Sequence, residues 1–124
     1  MSALSRMIGA ARRGGHILDL QVVRPDPLIE LDGRAIAHID GTALFAWADA
    51  AVAAIDARIA AGDLVEEAVD DHDVRKHYSD GHDLVDDVAA SKRRLPERFV
   101  PTLRAVDRPL IVRERCRTRR LRVC

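Results

Sequence analysis

The sequence predicts a small single α+β domain: an antiparallel β-meander packed on a long central helix, with further helices and a C-terminal β-hairpin. Three observations carry that expectation. Residues 42–61 place apolar side chains at helical spacing along an alanine-rich segment. Residues 16–39 hold short alternating runs separated by Pro and Asp-Gly breaks, the pattern of consecutive strands. The last fifteen residues alternate apolar and arginine around a polar centre, as two short paired strands would. Mixed helix and strand signals without a repeating strand-helix alternation indicate α+β rather than a parallel sheet.

The first element is a short helix within 2–13, with Leu4, Met7, Ile8 and Ala11 on one face and Gly14-Gly15 as its stop. His16–Val23 alternates Leu18, Leu20 and Val22 to one side and reads as a strand. Arg24-Pro-Asp-Pro27 turns the chain. Leu28–Leu31 and Arg34–Ile39 then flank Asp32-Gly33, a pair suited to a two-residue type I′ hairpin turn.

The long helix at 42–61 carries Leu44, Trp47, Ala51, Val52, Ile55 and Ile59 on one stripe. That stripe is expected to face the core, with Trp47 among the buried residues. Asp40 or Thr42 suits the N-terminal cap and Gly62 the left-handed residue after the last turn. Asp63-Leu-Val-Glu66 resembles a capping box, so a second helix is expected to about Lys76. A third helix runs from His82 to Arg94 and ends before Pro96. Leu110 and Val112, then Leu121 and Val123, read as two strands around a turn near residues 116–118.

Composition bounds the function classes. At 124 residues the chain is large enough to bury a core without disulfides or metal, and its four aromatic residues leave that core to Leu, Ile, Val and Ala. No apolar run approaches the twenty residues of a membrane span, and the N-terminal segment lacks a signal-peptide pattern. The two cysteines, Cys116 and Cys124, fall together at the C-terminal end, which favours a reduced, cytoplasmic chain. The arginines beside Cys116 favour its thiolate.

Net charge is zero, but the charge is segregated. Residues 62–87 hold two basic and ten acidic residues, net −8, whereas residues 92–124 hold twelve basic and three acidic, net +9. Such poles can pair with each other, join copies of the chain as a homo-oligomer, or each engage a different partner.

Three groups of residues are candidate sites. In the first, a ribbon formed by residues 110–115 and 119–124 would present Arg113, Arg115, Arg120 and Arg122 from one side. Guanidinium groups bind phosphates and carboxylates bidentately, so the ribbon suits nucleic acid or an acidic protein partner. No aromatic residue accompanies it for base stacking. The bland alternative is that these arginines pair with the acidic segment 63–87.

The second group is the segment 70–83, which holds three of the five histidines among aspartates. His77, Asp80 and His82 are its candidate metal ligands, brought together by a loop. Spacings of five residues rotate successive ligands by about 140° on a helix, so a helical site is excluded. The third group comprises Asp26, Glu30, Asp32 and Asp40. It resembles the two-carboxylate Mg²⁺ core of restriction-endonuclease-like nucleases. Asp26 and Glu30 stand too close for the hairpin that separates such ligands, and no lysine follows them.

The resulting expectation is a non-enzymatic binding or regulatory protein, without cofactor and without membrane contact. It would act through its segregated charges, with the Arg-rich end as the binding surface. The alternatives are a metal-dependent hydrolase or nuclease using residues 70–83, and an assembly subunit that self-associates through its opposite charge blocks.

Overall fold

The computed structural model describes residues 2–124. The elements are α1 (Ala3–Ala10), β1 (His16–Val22), β2 (Leu28–Leu31), β3 (Arg34–His38), α2 (Thr42–Ala60), β4 (Leu64–Tyr78), α3 (Gly81–Ala89), α4 (Val100–Arg104) and β5 (Leu110–Val123). A short 3₁₀ turn at Glu97–Phe99 leads into α4. The protein is thus α+β, with one antiparallel five-stranded sheet.

The sheet is organised by β5. One edge of β5 pairs with β4 over residues 64–78, from Leu64 opposite Val123 to Tyr78 opposite Leu110. Its other edge is shared: β1 pairs with residues 116–122 and β2 with residues 111–113, while β3 closes the hairpin on β2. The expected meander is therefore not formed, because β1 and the β2–β3 hairpin lie end to end along one edge of β5 and do not pair with each other. The hairpin itself is as expected, with Asp32 at φ 52° and Gly33 at φ 78°, the left-handed pair a type I′ turn requires.

Two further expectations are corrected. Residues 110–123 form a single continuous strand rather than a terminal hairpin. Residues 64–78 form a strand rather than a helix, because β5 supplies the partners that an isolated reading lacks. Asp71 and Asp73 stand directly opposite Arg117 and Arg115, and opposite-charge cross-strand pairs favour the ladder.

β5 changes its buried side halfway along. Leu110, Val112, Glu114 and Cys116 are buried at its start, but Arg119, Leu121 and Val123 at its end. Successive side chains alternate between faces and the pairing with β1 has no register shift, so the two sets lie on opposite faces of the sheet. The first face, at one end, packs Ile29, Ile39, Leu110 and Val112 against Leu84, Val85 and Val88 of α3 and Leu103 of α4. The second face, at the other end, packs Ile17, Leu64, Leu121 and Val123 against Ile55 of α2, with Leu4 and Ile8 of α1 alongside. Each core leaves the far side of its own sheet region open.

The expected stripe of α2 faces the sheet at Ile55, which is buried, and at Leu44, Ala51, Val52 and Ile59, which are half-buried, but not at Trp47. Phe45, Ala48 and Ile55 are buried, whereas Trp47 is 66% exposed and lies beneath Lys92, whose Nζ is 4.1 Å from the ring centroid. Asp40 accepts from the Thr42 amide at 2.9 Å, and Gly62 at φ 83° ends the helix as expected. α3 is capped by Asp80, which accepts from the Asp83 amide at 2.9 Å, and it ends at Ala89, short of the expected Arg94.

Candidate binding surface

Alternation along β5 decides where its arginines point. Arg113 and Arg115 lie with Arg117 on the second face, whereas Arg120 and Arg122 lie on the first. A hairpin turning near residue 117 would have brought all four together. In the continuous strand they separate into two pairs on opposite sides of the sheet.

Each arginine also meets a carboxylate. Arg113 Nε is 2.8 Å from Glu30 of β2, and Arg115 is 3.2 Å from Asp73. Arg117 grips Asp71 through two hydrogen bonds of 2.7 and 3.0 Å. Arg119 is largely buried and donates to Glu66 at 2.7 Å and to Asp56 of α2 at 2.9 Å, tying helix, central strand and outer strand together. The hydrogen bond from Arg117 holds the Asp71 carboxyl below its ordinary range. Much of the acidic block is thus the internal counter-charge of the basic block.

The exception is the first face above the end of the sheet that α3 and α4 do not cover. There Leu18 and Leu20 of β1 are 68% and 57% exposed, and Val65 of β4 is exposed beside them. Leu18 stands opposite Arg120, Leu20 opposite Thr118, and Val65 opposite Arg122. A single carboxylate, Glu67, serves one histidine and two arginines: His16 Nε2 at 2.6 Å, Arg122 at 3.4 Å and Arg120 at 3.7 Å. Desolvation opposes ionisation of Glu67, but His16 and the two arginines outweigh it and hold its carboxyl low. Glu67 reaches this face because it occupies the register shift between Glu66 and Ala68. The patch is therefore apolar at its centre, cationic at its border and uncovered. Leu18 and Leu20 were legible as strand residues. Their exposure was not, because it depends on which end of the sheet the helices cover.

On the opposite face, a cavity of about 200 Å³ opens between α2 and the sheet. Its polar lining is Asp19, Gln21, Asp56, Glu66, Arg117 and Arg119. Gln21 donates to Asp19 at 2.8 Å, and the arginines are taken up by the ion pairs above.

The candidate metal ligands have other occupations. Asp80 caps α3, while His82 bridges Asp86 at 3.2 Å and the Arg104 guanidinium at 3.0 Å. His77 projects from β4, opposite Ile111. Among the described residues, no three His, Cys, Asp or Glu side chains converge in a way that would hold a metal ion. The carboxylates of the third group are likewise local: Asp26 accepts from the Gly41 amide at 3.1 Å, and Asp32 pairs with Arg108 at 2.7 Å.

Cys116 is buried, and burial together with the neighbouring Glu114 pushes its thiol up, the reverse of the thiolate expected from its arginine neighbours. Those arginines point to the other face or away from the sulfur, while Glu114 shares its side of the sheet. No described helix is long and apolar enough to cross a membrane. Comparison with protein-family models, with curated proteins and with solved structures finds no match.

Proposed function

We propose that this protein is a non-enzymatic binding module whose open sheet face, built on Leu18, Leu20, Arg120 and Arg122, takes an acidic amphipathic segment of another protein. The observation that carries this reading is the pair of exposed leucines set beside two arginines and a histidine that share one carboxylate. Burying such leucines is favourable by roughly 25 cal/mol per Å² of apolar surface, and added carboxylates would complete the coordination of Arg120 and Arg122. Apolar centre and charged border are the usual anatomy of a protein–protein contact.

Nucleic acid is the less supported partner. The four arginines first considered for it divide between two faces, and no aromatic side chain stands beside Arg120 and Arg122 to stack a base. Asp70, directly opposite Thr118, adds a carboxylate to the same face.

The test is a titration of the protein with an acidic peptide alternating leucine and glutamate, and in parallel with a duplex DNA, followed by amide chemical shifts. The expected outcome is peptide-induced shifts in β1 and the end of β5, abolished in Leu18→Ser/Leu20→Ser and weakened at least tenfold in Arg120→Glu/Arg122→Glu. Both variants should fold, since all four side chains are substantially exposed. Salt-dependent duplex binding that is indifferent to Leu18 and Leu20 would replace this reading with nucleic acid.

A further inference from the structure

Beyond that face, the whole length of β4 carries an unused edge. β4 pairs only with β5, and no other element donates to or accepts from its outer backbone among the described residues. A strand of fifteen residues with a free edge is a template for another strand. Charge usually blocks such an edge, and here the arrangement of charge says which strand is admitted.

From Ala68 onward β4 reads Ala-Val-Asp-Asp-His-Asp-Val-Arg-Lys-His-Tyr, with acids first and bases after. Asp70 lies 3.3 Å from His72, and the Asp70 side chain is largely exposed. Arg75 and Lys76 have no carboxylate within ion-pair distance among the described residues, although every arginine of β5 has one. Worse for the isolated chain, Arg75 stands directly opposite Arg113, a like-charge cross-strand pair. A carboxylate on the outer side of Arg75 would relieve it.

We propose that β4 pairs antiparallel with β4 of a second copy about a two-fold axis at Asp73, joining two five-stranded sheets into one. In that register residues whose numbers sum to 146 face each other. Asp71 then lies opposite Arg75 of the second copy and Asp70 opposite its Lys76, each contact occurring twice by symmetry. Opposed residues share a face, as antiparallel pairing requires: Asp71 and Arg75 on one side of the sheet, Asp70 and Lys76 on the other. His72 meets Val74, Val69 meets His77 and Ala68 meets Tyr78. The one directly opposed like-charge pair, Asp73 with its own copy, is tempered by Arg115 at 3.2 Å and by the diagonal Arg75 of the second copy, while the other diagonal neighbour, Asp71, is held by its own Arg117 at 2.7 Å. The register uses only residues beyond the irregularity at Glu66–Ala68, which bounds the paired stretch. An in-register parallel pairing would oppose like to like at each Asp, Arg and Lys of the stretch, so the charge order selects the antiparallel dimer.

The test is sedimentation equilibrium of the full chain at low and high salt, with charge-reversed variants. The expected wild-type result is a dimer whose dissociation constant rises with salt. Arg75→Glu/Lys76→Glu, which removes no internal ion pair, should weaken it at least tenfold. Asp70→Lys/Asp71→Lys should do the same, and the two variants mixed should associate with each other. With Cys124 replaced by Ser, Asp73→Cys should cross-link to itself through a short bifunctional thiol reagent, whereas Asp83→Cys should not. A chain that stays monomeric, or a dimer indifferent to reversal of Arg75 and Lys76, overturns the proposal. Peptide binding by the Leu18–Leu20 face is measured separately and survives either result.

Discussion

Trp47 shows how much a single residue's surroundings outweigh its type. As the only tryptophan, on an apolar helical stripe, it reads as a core residue, yet α2 buries Ile55 of that stripe together with Phe45 and Ala48 and leaves Trp47 outside. Phe45 and Trp47 lie two positions apart, about 200° around the helix, so one being buried exposes the other. What remains to Trp47 is the contact with Lys92, worth about 0.5–1 kcal/mol at an exposed site. Trp47→Ala is therefore expected to lower stability by less than about 1 kcal/mol, measured by urea denaturation. A loss of about 3 kcal/mol, the scale of a buried aromatic, would show that the helix is rotated from the arrangement described. The deeply placed polar pair is elsewhere: Glu114, buried on the first face, is held by two nitrogens of Arg93, one at 2.8 Å.

Among the elements, those specified by local chemistry were legible and those specified by distant partners were not. Asp32-Gly33 fixes the β2–β3 turn by its own backbone preference, and Gly62 ends α2 the same way. β4 has no such local signature. Seven successive residues from Val65 to Asp71 are exposed, so no alternation of apolar and polar residues betrays the strand. Val65, Ala68, Val69 and His72 even fall at helical spacing. The signal that could have found it lies in two segments together: Asp71-His-Asp73 read against Arg115-Cys-Arg117 in the reverse direction matches acid to base at each flank. The same reading would have joined the two halves of β5 and separated its four arginines into two faces. Gly81 illustrates a packing requirement equally hidden in sequence. It starts α3 against α4, and a Cβ there would fall 1.6 Å from the carbonyl oxygen of Leu103. That obstacle is backbone, so α3 must move away from α4. Gly81→Ala should cost about 3 kcal/mol in a denaturant melt, despite alanine's better helix propensity. A neutral or stabilising result would mean that the α3–α4 contact is looser than described.

At the scale of the whole molecule, the charge segregation is first of all a folding device. Two cores on opposite faces and at opposite ends share only the sheet, and β5 with β4 is what runs the length between them. The Arg–carboxylate contacts at Asp71, Asp73 and Glu66 stand along that connection, where apolar burial is thin. The contact at Asp71, with the carboxylates Asp40 and Asp49 elsewhere, should make stability sensitive to acid. Hydrogen bonding and charge from Arg117 depress Asp71, Thr42 depresses Asp40, and Arg24 depresses Asp49. A carboxyl with a lower pKa folded than unfolded stabilises the fold above its unfolded value. That contribution is lost as the pH falls through the folded value. The loss therefore begins near the ordinary carboxylate range, about pH 4, and deepens below it. Arg117→Ala should be less stable than the parent at neutral pH and return Asp71 to ordinary titration. The difference between the two proteins should then shrink as the pH falls, because a protonated Asp71 no longer distinguishes them. Thermal melts of both across that range measure it directly. Parallel curves, with a constant gap down to the lowest pH, would mean that Arg117 stabilises β4 through its aliphatic stem and that the Asp71 ion pair contributes nothing to joining the two cores.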